Sequence, residues 1–547
     1  MSFYLAGEKF GSFIVDTTVG NLIYFTHLEA HNCWKASRVH GRAWDVDPAL
    51  NDQSDHRTGT IQATKGDDEE TLTVRVTHRQ SGLQIIPHAT IRFNETGKEF
   101  IFSTETFDAS YAPQTVILEL THVDGRIFRA TTGLYYLPYP RPTQSITRID
   151  SLYGGLHVRS NGPAWQTIFP YTFYLSGDWL ASDPGNLKRF QNFGFNVLHI
   201  VPGGAGIGYD LDQLDTWFDE AEKLGLWIMY DMRWTYQNTG YVRTQVERCK
   251  TRSNMLLYYT ADEPDGHEDD PDAPSRSYAF IKSLDPYHPI SLCLNCQNYY
   301  FQRYTAGTDI ILADIYPVGT NTSYSTKYQT PCNNTYGDCG CDNCMTSPTS
   351  PALANIPARL DLWSSFRAQL GLPHKPIWSV PQAFTQQDFW TRTPSPQELV
   401  AMILLSLNHG AKGVVMWLYP TAGEIVGVAS EFSKVMWAGK GLVAFLSVVQ
   451  AEAVPVSGAE NVDAAMWRVG NRMMVTAINA GENKVEGKIR LDFEKGFKIK
   501  GLSHVLWGSG QWKIEDGRAL IRTNIDGVES CVLVVDVEGE DKGVTTT

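Results

Sequence analysis

Met255-Leu256-Leu257-Tyr258-Tyr259-Thr260-Ala261-Asp262-Glu263-Pro264 decides the fold. An uncharged run leads straight into two carboxylates and a proline. This is the pattern of a parallel strand buried on both faces that delivers acids at its C-terminal lip. A carboxyl on such a lip, half desolvated by the barrel beneath it, keeps its proton near neutral pH and can donate it to a leaving oxygen.

Outward from this stretch, strand and helix alternate from about residue 165 to 450. Strands are expected at 170–175, 196–201, 226–231, 255–260, 290–294, 309–314, 376–380 and 413–419. Helices are expected between them, as at 211–224, 275–283, 356–370 and 396–408, with a last one at 430–449. Alternation of this kind signals a parallel α/β architecture, and eight strands make it a (β/α)8 TIM barrel rather than a doubly wound sheet. Gly203-Gly204-Ala205-Gly206-Ile207-Gly208 follows strand two, but it lacks the helix entry and distal acid of a dinucleotide site.

On both sides of the barrel the period changes to two. Leu72-Thr73-Val74-Arg75-Val76 and Val116-Ile117-Leu118-Glu119-Leu120 alternate before it, and Met473 to Asn479 and Ser530 to Val535 after it. The expected organisation is an N-terminal β-sandwich at 1–160, the barrel at 161–452 and a C-terminal β-sandwich at 453–547. At 547 residues the chain is long enough for several cores.

A net charge of -14 and the lack of a basic stripe argue against a nucleic acid partner. No apolar run approaches the ~20 residues of a membrane span, so no membrane partner is expected. Aromatic residues make up 12% of the chain, a nudge towards sugar faces that large cores also explain. Of nine cysteines, Cys332, Cys339, Cys341 and Cys344 crowd one segment beside the sequons Asn321-Thr322-Ser323 and Asn333-Asn334-Thr335. Their spacing lacks the paired knuckles of zinc sites, which favours disulfides and an extracellular, secreted protein; no leader precedes Ser2, so a mature form is expected. His267-Glu268-Asp269-Asp270 reads as a solvated loop tip, and no metal or cofactor is expected.

In this fold the reacting groups stand at the strand ends. The ends offer His199, Asp231, Asp262 with Glu263, Asn295 with Cys296, Asp314 with Tyr316, Gln382, and Trp417. Together they resemble the clan A (β/α)8 glycoside hydrolases, whose general acid lies in an Asn-Glu-Pro-like turn after strand four. The resemblance covers the barrel, about half of the chain. It implies that Glu263 is the general acid, that Asp262 stands where the clan's Asn contacts a sugar hydroxyl, and that Trp417 is the aromatic floor. Strand seven departs from the clan: where a Glu nucleophile belongs, Pro376-Ile377-Trp378-Ser379-Val380-Pro381-Gln382 carries only an amide, which cannot form a glycosyl ester.

Asp314, Asp231 and Glu424 are the candidate replacements, Asp314 first. As the base of an inverting pair it would stand about 6.5–9.5 Å from Glu263, with room for a water. Helix capping or pairing with Arg233 is the competing use of Asp231 and Asp314. Asp262, Asp231, His199, Tyr316, Trp378, Gln382 and Trp417 are the expected substrate contacts, with core packing as the competing use of Trp179, Trp234, Trp378 and Trp390. The long connection from Val318 to Asn355 is expected to wall one end of the cleft. A glycoside hydrolase with a carbohydrate substrate follows; a catalytically inactive sugar-binding barrel and an adhesive surface protein are the alternatives. Sugar, linkage and oligomeric state are not encoded in any of these features.

Overall fold

A computed structural model describes residues 71–92, 107–150, 153–203, 210–319, 351–437 and 441–539, with short breaks at 161, 163, 371, 385–389, 391 and 494–495, and a few short strands outside those ranges. Its centre is a closed barrel of eight parallel strands. In chain order these are β1 (Tyr171–Ser176), β2 (Val197–Val201), β3 (Trp227–Asp231), β4 (Met255–Asp262), β5 (Ile290–Leu294), β6 (Ile310–Ile315), β7 (Ile377–Pro381) and β8 (Val414–Tyr419). β8 closes the ring on β1, with Tyr171 opposite Val414. The TIM barrel expected from the alternation is present.

Strand parity sorts the side chains. Tyr174, Met229, Leu257, Tyr259, Cys293, Leu312, Trp378, Val380 and Val415 share the core cluster inside the barrel. Phe173, Ile200, Tyr230, Leu292, Ala313 and Met416 belong to the larger cluster under the helices. β4 breaks its own alternation: its register against β5 shifts between Tyr259 and Asp262. The extra residue of this bulge sends Ala261 to the outer cluster and lets Tyr259 and Asp262 meet, the tyrosine hydroxyl donating to the carboxylate.

A three-stranded sheet, Ile146–Ile149, Leu156–Arg159 and Gln166–Ile168, floors the barrel, and its Leu156, Val158 and Ile168 join the interior cluster. A buried chain of hydrogen bonds pins the entry to this sheet: Ser145 Oγ lies 2.8 Å from the carbonyl of Met255 and 3.0 Å from His288 Nε2, and His288 Nδ1 lies 2.7 Å from Asp285.

The helix Leu211–Lys223 buries Leu214, Phe218 and Ala221 as its periodicity predicts, with Asp210 as N-cap. Pro396–Asn408 starts in a capping box between Ser395 and Glu398 and is buried along its length from Glu398. An apolar helix of this kind needs cover on its outer side too. The C-terminal region supplies it, with Trp467, Met474, Val532 and Val534 in the same cluster as the helix. The helix expected at 430–449 is instead Gly423–Trp437 followed by Val443–Leu446, because Ile425, Val426 and Ala429 begin the apolar face earlier. Among the described residues, no helix is long and apolar enough to cross a membrane.

The C-terminal region is a five-stranded and a four-stranded sheet packed over one core that includes Val475, Leu491, Leu520 and Leu533, a β-sandwich. It is tied to the barrel through His409, whose Nδ1 lies 2.7 Å from Asp361 and whose Nε2 lies 2.9 Å from Asp463. Before the barrel, a five-stranded sheet pairs Ser2–Ala6 in parallel with Ile127–Leu137, and Phe10–Val15 pairs with Lys98–Ser103.

Candidate active site

The C-terminal mouth of the barrel is built from the last inward position of each strand. β6 supplies Asp314, buried at 8% exposure, whose carboxyl is hydrogen-bonded to that of Glu263 just past β4. Two carboxyl groups can bond only if one of them carries a proton, and because the bond lowers Asp314, Glu263 is the donor. Burial, followed by the nearby charge of Asp262, pushes Asp314 up to about 7, against the bonds from Glu263, Cys293 and Tyr316. Its Oδ1 has no hydrogen-bond partner among the described residues.

Glu263 has a left-handed backbone, φ 47°, which a residue with a Cβ adopts at a cost of about 1–3 kcal/mol. Its surroundings hold it there. Glu263 N–H donates to the carbonyl of Cys293 at 3.1 Å, and its own carbonyl accepts from His267 N–H at 2.9 Å. Two residues on, the buried carboxylate of Asp265 accepts from the N–H of Gly266 at 3.0 Å, of Asn295 at 3.3 Å and of Cys296 at 2.9 Å. The turn that carries Glu263 is thereby sewn to the end of β5. Burial raises the Asp265 carboxyl to about 6 despite these donors.

Beside the pair runs an ionic chain. Asp231 accepts from Arg233 Nε at 2.9 Å and lies 2.9 Å from His199 Nε2; Arg233 Nη1 reaches Asp262 at 2.6 Å. Burial would raise Asp231, but Arg233 and His199 more than offset it and hold the carboxylate below its usual range. Burial lowers His199 against the pull of Asp231, which keeps the imidazole neutral, with Nε2–H donating to Asp231 and Nδ1 buried without a partner.

Aromatic rings close the mouth. The rings of Tyr174, Tyr259 and Trp417 have their centres 5.3–5.4 Å from the Arg233 guanidinium carbon. Trp417 stands edge-on to Tyr174 at 5.0 Å and is half-buried. Across from them Tyr316 packs against Phe384 at 5.2 Å and Trp390 at 5.7 Å.

Of the residues expected at the site, Glu263, Asp314, Asp262, Asp231, His199, Tyr316 and Trp417 are brought together at the mouth. His199 at 0% and Asp231 at 1% exposure are bonded to each other, and Asp231 to Arg233, so these two support the mouth from beneath and are not substrate contacts. The water-sized gap expected between Asp314 and Glu263 is absent; their carboxyls touch. Trp378 is not a substrate contact: at 0% exposure it fills the barrel interior. Gln382 is not one either, because its amide is spent on the backbone of Val318, 2.9 Å to the N–H and 2.9 Å to the carbonyl. Glu424 lies exposed in the first turn of a helix rather than in a loop. Trp234, in contrast, is 42% exposed and so not core. The Val318 to Asn355 connection, with its sequons and Cys332, Cys339, Cys341 and Cys344, lies largely outside the described residues. Cys249, Cys293 and Cys531 are buried free thiols, and Cys296 is disulfide-bonded.

Cys293, Tyr174 and Tyr259 were missed as site residues. Inward parity on β5, β1 and β4 is the signal that finds them. Burial, and then the charges of Asp314, Asp262 and Glu263, push the Cys293 thiol well up, so it stays protonated and donates to Asp314. Among the described residues, no group of three or more His, Cys, Asp or Glu side chains could hold a metal ion.

No protein-family model and no curated protein matches the chain. Among solved structures it is similar to a family 39 glycoside hydrolase from the gut symbiont Bacteroides cellulosilyticus WH2, with 12% identity over 86% of this chain and 96% of that one and a TM-score of 0.41. It is also similar to a chain described as a glycoside hydrolase, with 13% identity over 72% and 97% and a TM-score of 0.44. A third is a noncanonic maltogenic alpha-amylase from Thermotoga neapolitana, with 11% identity over 66% and 98% and a TM-score of 0.42. All three TM-scores lie below 0.5, and no functional statement rests on them.

Proposed function

We propose that the protein is a glycoside hydrolase in which Glu263 and Asp314 act as one acid–base pair on a carbohydrate. The observation that carries this is the pairing of two carboxyls at the mouth of a closed barrel, where burial raises Asp314 to about 7. A glycosidic oxygen bound beside Glu263 competes for the proton that Glu263 donates. As it moves to the leaving oxygen the C–O bond breaks, and the pair, now doubly ionised, faces the cationic sugar carbon. Asp314 then serves as base, taking a proton from water, or as nucleophile, forming an ester that water cleaves. Either route returns one proton to the pair.

The contact between the carboxyls leaves no room for a water between them in this structure. Inversion therefore requires substrate to part them by several ångström, and retention requires less. Trp417 supplies a ring face for the sugar, and the part-exposed Asp262 supplies an acceptor for its hydroxyls. A panel of aryl glycosides, with NMR of the first-formed anomer, tests the activity and distinguishes the two routes. Turnover of none of them, on protein shown to be folded, rejects it.

One observation favours the second reading, a barrel that binds sugar without cleaving it. β7 ends in Gln382, a neutral amide locked to Val318. Sugar binding without turnover would establish that reading.

A further inference from the structure

We propose that the site takes glycosides of neutral sugars and rejects uronates and sulfated sugars, because the cations at its mouth are already spent on acids and carbonyls of this chain. This deepens the glycosidase reading and rests on it.

Arg233 pairs with Asp262, the residue before Glu263, and its side chain is 2% exposed. Nε donates to Asp231 at 2.9 Å and Nη1 to Asp262 at 2.6 Å, while Nη2 lies 2.8 Å from Asp231 in an ion pair, buried under three aromatic rings. Two arginines on the connections either side of β7 are engaged as well. Arg392 binds both oxygens of Glu398 at 2.7 Å, and Arg359 donates to the carbonyl of Asn295 at 2.9 Å.

Among the described residues the balance at the mouth is therefore acidic: Asp231, Asp262 and the Glu263–Asp314 pair stand against Arg233. A carboxylate or sulfate on the sugar would enter a poorly solvated space among like charges, with no uncommitted cation among these described residues to meet it. Sugar hydroxyls are donors, and these same oxygens accept from them. Neutral glycosides gain where anionic ones lose.

The test uses paired 4-nitrophenyl glycosides that differ only at C6, glucoside against glucuronide and galactoside against galacturonide, in both anomers. In parallel, binding of neutral and uronic oligosaccharides to the wild type and to Glu263→Gln is measured by calorimetry. The expected result is a kcat/KM at least about a hundredfold higher for the neutral member, and binding of neutral sugars only. A uronide hydrolysed as fast as its neutral partner, or a uronic oligosaccharide bound as tightly, overturns the proposal. So does a complete lack of binding to neutral sugars. Selective neutral binding with no turnover would leave the charge discrimination standing and reject the hydrolase reading alone.

Discussion

The carboxyl of Asp314, at the end of β6, is hydrogen-bonded to that of Glu263, past the end of β4, so two acids two strands apart act as a single titrating unit. Their contact makes each dependent on the other.

Replacing Glu263 by Gln keeps the side chain's shape and removes the acid. The expected outcome is a loss of kcat of roughly a thousandfold or more on any glycoside the wild type cleaves, with the thermal transition little changed. Steady-state kinetics beside a melting curve check it, and a variant with full activity would end the proposal.

The pair sets a pH limit. The bond from Glu263 lowers Asp314, so Glu263 keeps the proton it donates; Asp314, which must be ionised to act as base or nucleophile, loses its own above about 7, and activity should rise as pH climbs through that value. Cys293 donates to Asp314 and lowers it. Cys293→Ala should therefore move the acid limb of the kcat/KM profile to higher pH, and Cys293→Ser, which restores a donor, should move it back. An unmoved limb in the alanine variant would show that the thiol is only packing.

Asp265 touches no reacting atom in this scheme; it positions the turn that bears Glu263. Asp265→Asn retains one acceptor oxygen in place of two, and a misplacement of Glu263 of the order of 1 Å lowers kcat by up to roughly a hundredfold with a smaller change in KM. A change confined to KM, or to melting temperature, would contradict this.

His409 makes a pH-dependent tie between barrel and sandwich. Burial opposes its charge, but Asp361 and Asp463 prevail and raise it to about 9 from the ordinary 6.5. A histidine raised on folding stabilises fully below its unfolded value and ceases to do so as pH climbs through the folded one. The gap corresponds to about 2 kcal/mol after discounting for the exposure of Asp361. His409→Gln should thus lower the melting temperature clearly at pH 6 and hardly at all at pH 10. Equal losses at both would count against a charged tie.

Much of this mouth was legible from the period-two pattern. Once the strands are located, parity alone brings His199, Asp231, Cys293, Asp314 and Trp417 to the interior face. Three things were not legible. Parity assigns Trp378 and Gln382 inward correctly but cannot tell a side chain consumed by packing or by the backbone of Val318 from one open to a ligand. The separation of Asp314 and Glu263 depends on the left-handed turn at Glu263, which no propensity favours for that residue. The bulge in β4, which decides where Asp262 points, leaves no mark in an uninterrupted apolar run.

That bulge makes the chemistry depend on a count as much as on residue identity. Deleting one residue at Thr260–Ala261 would preserve every acid named above and leave an ordinary pleated strand, yet would rotate Asp262 off Arg233 and carry Glu263 away from Asp314. A homologous chain could keep the whole motif in its letters and, one residue shorter at this place, be a sound barrel with nothing to catalyse.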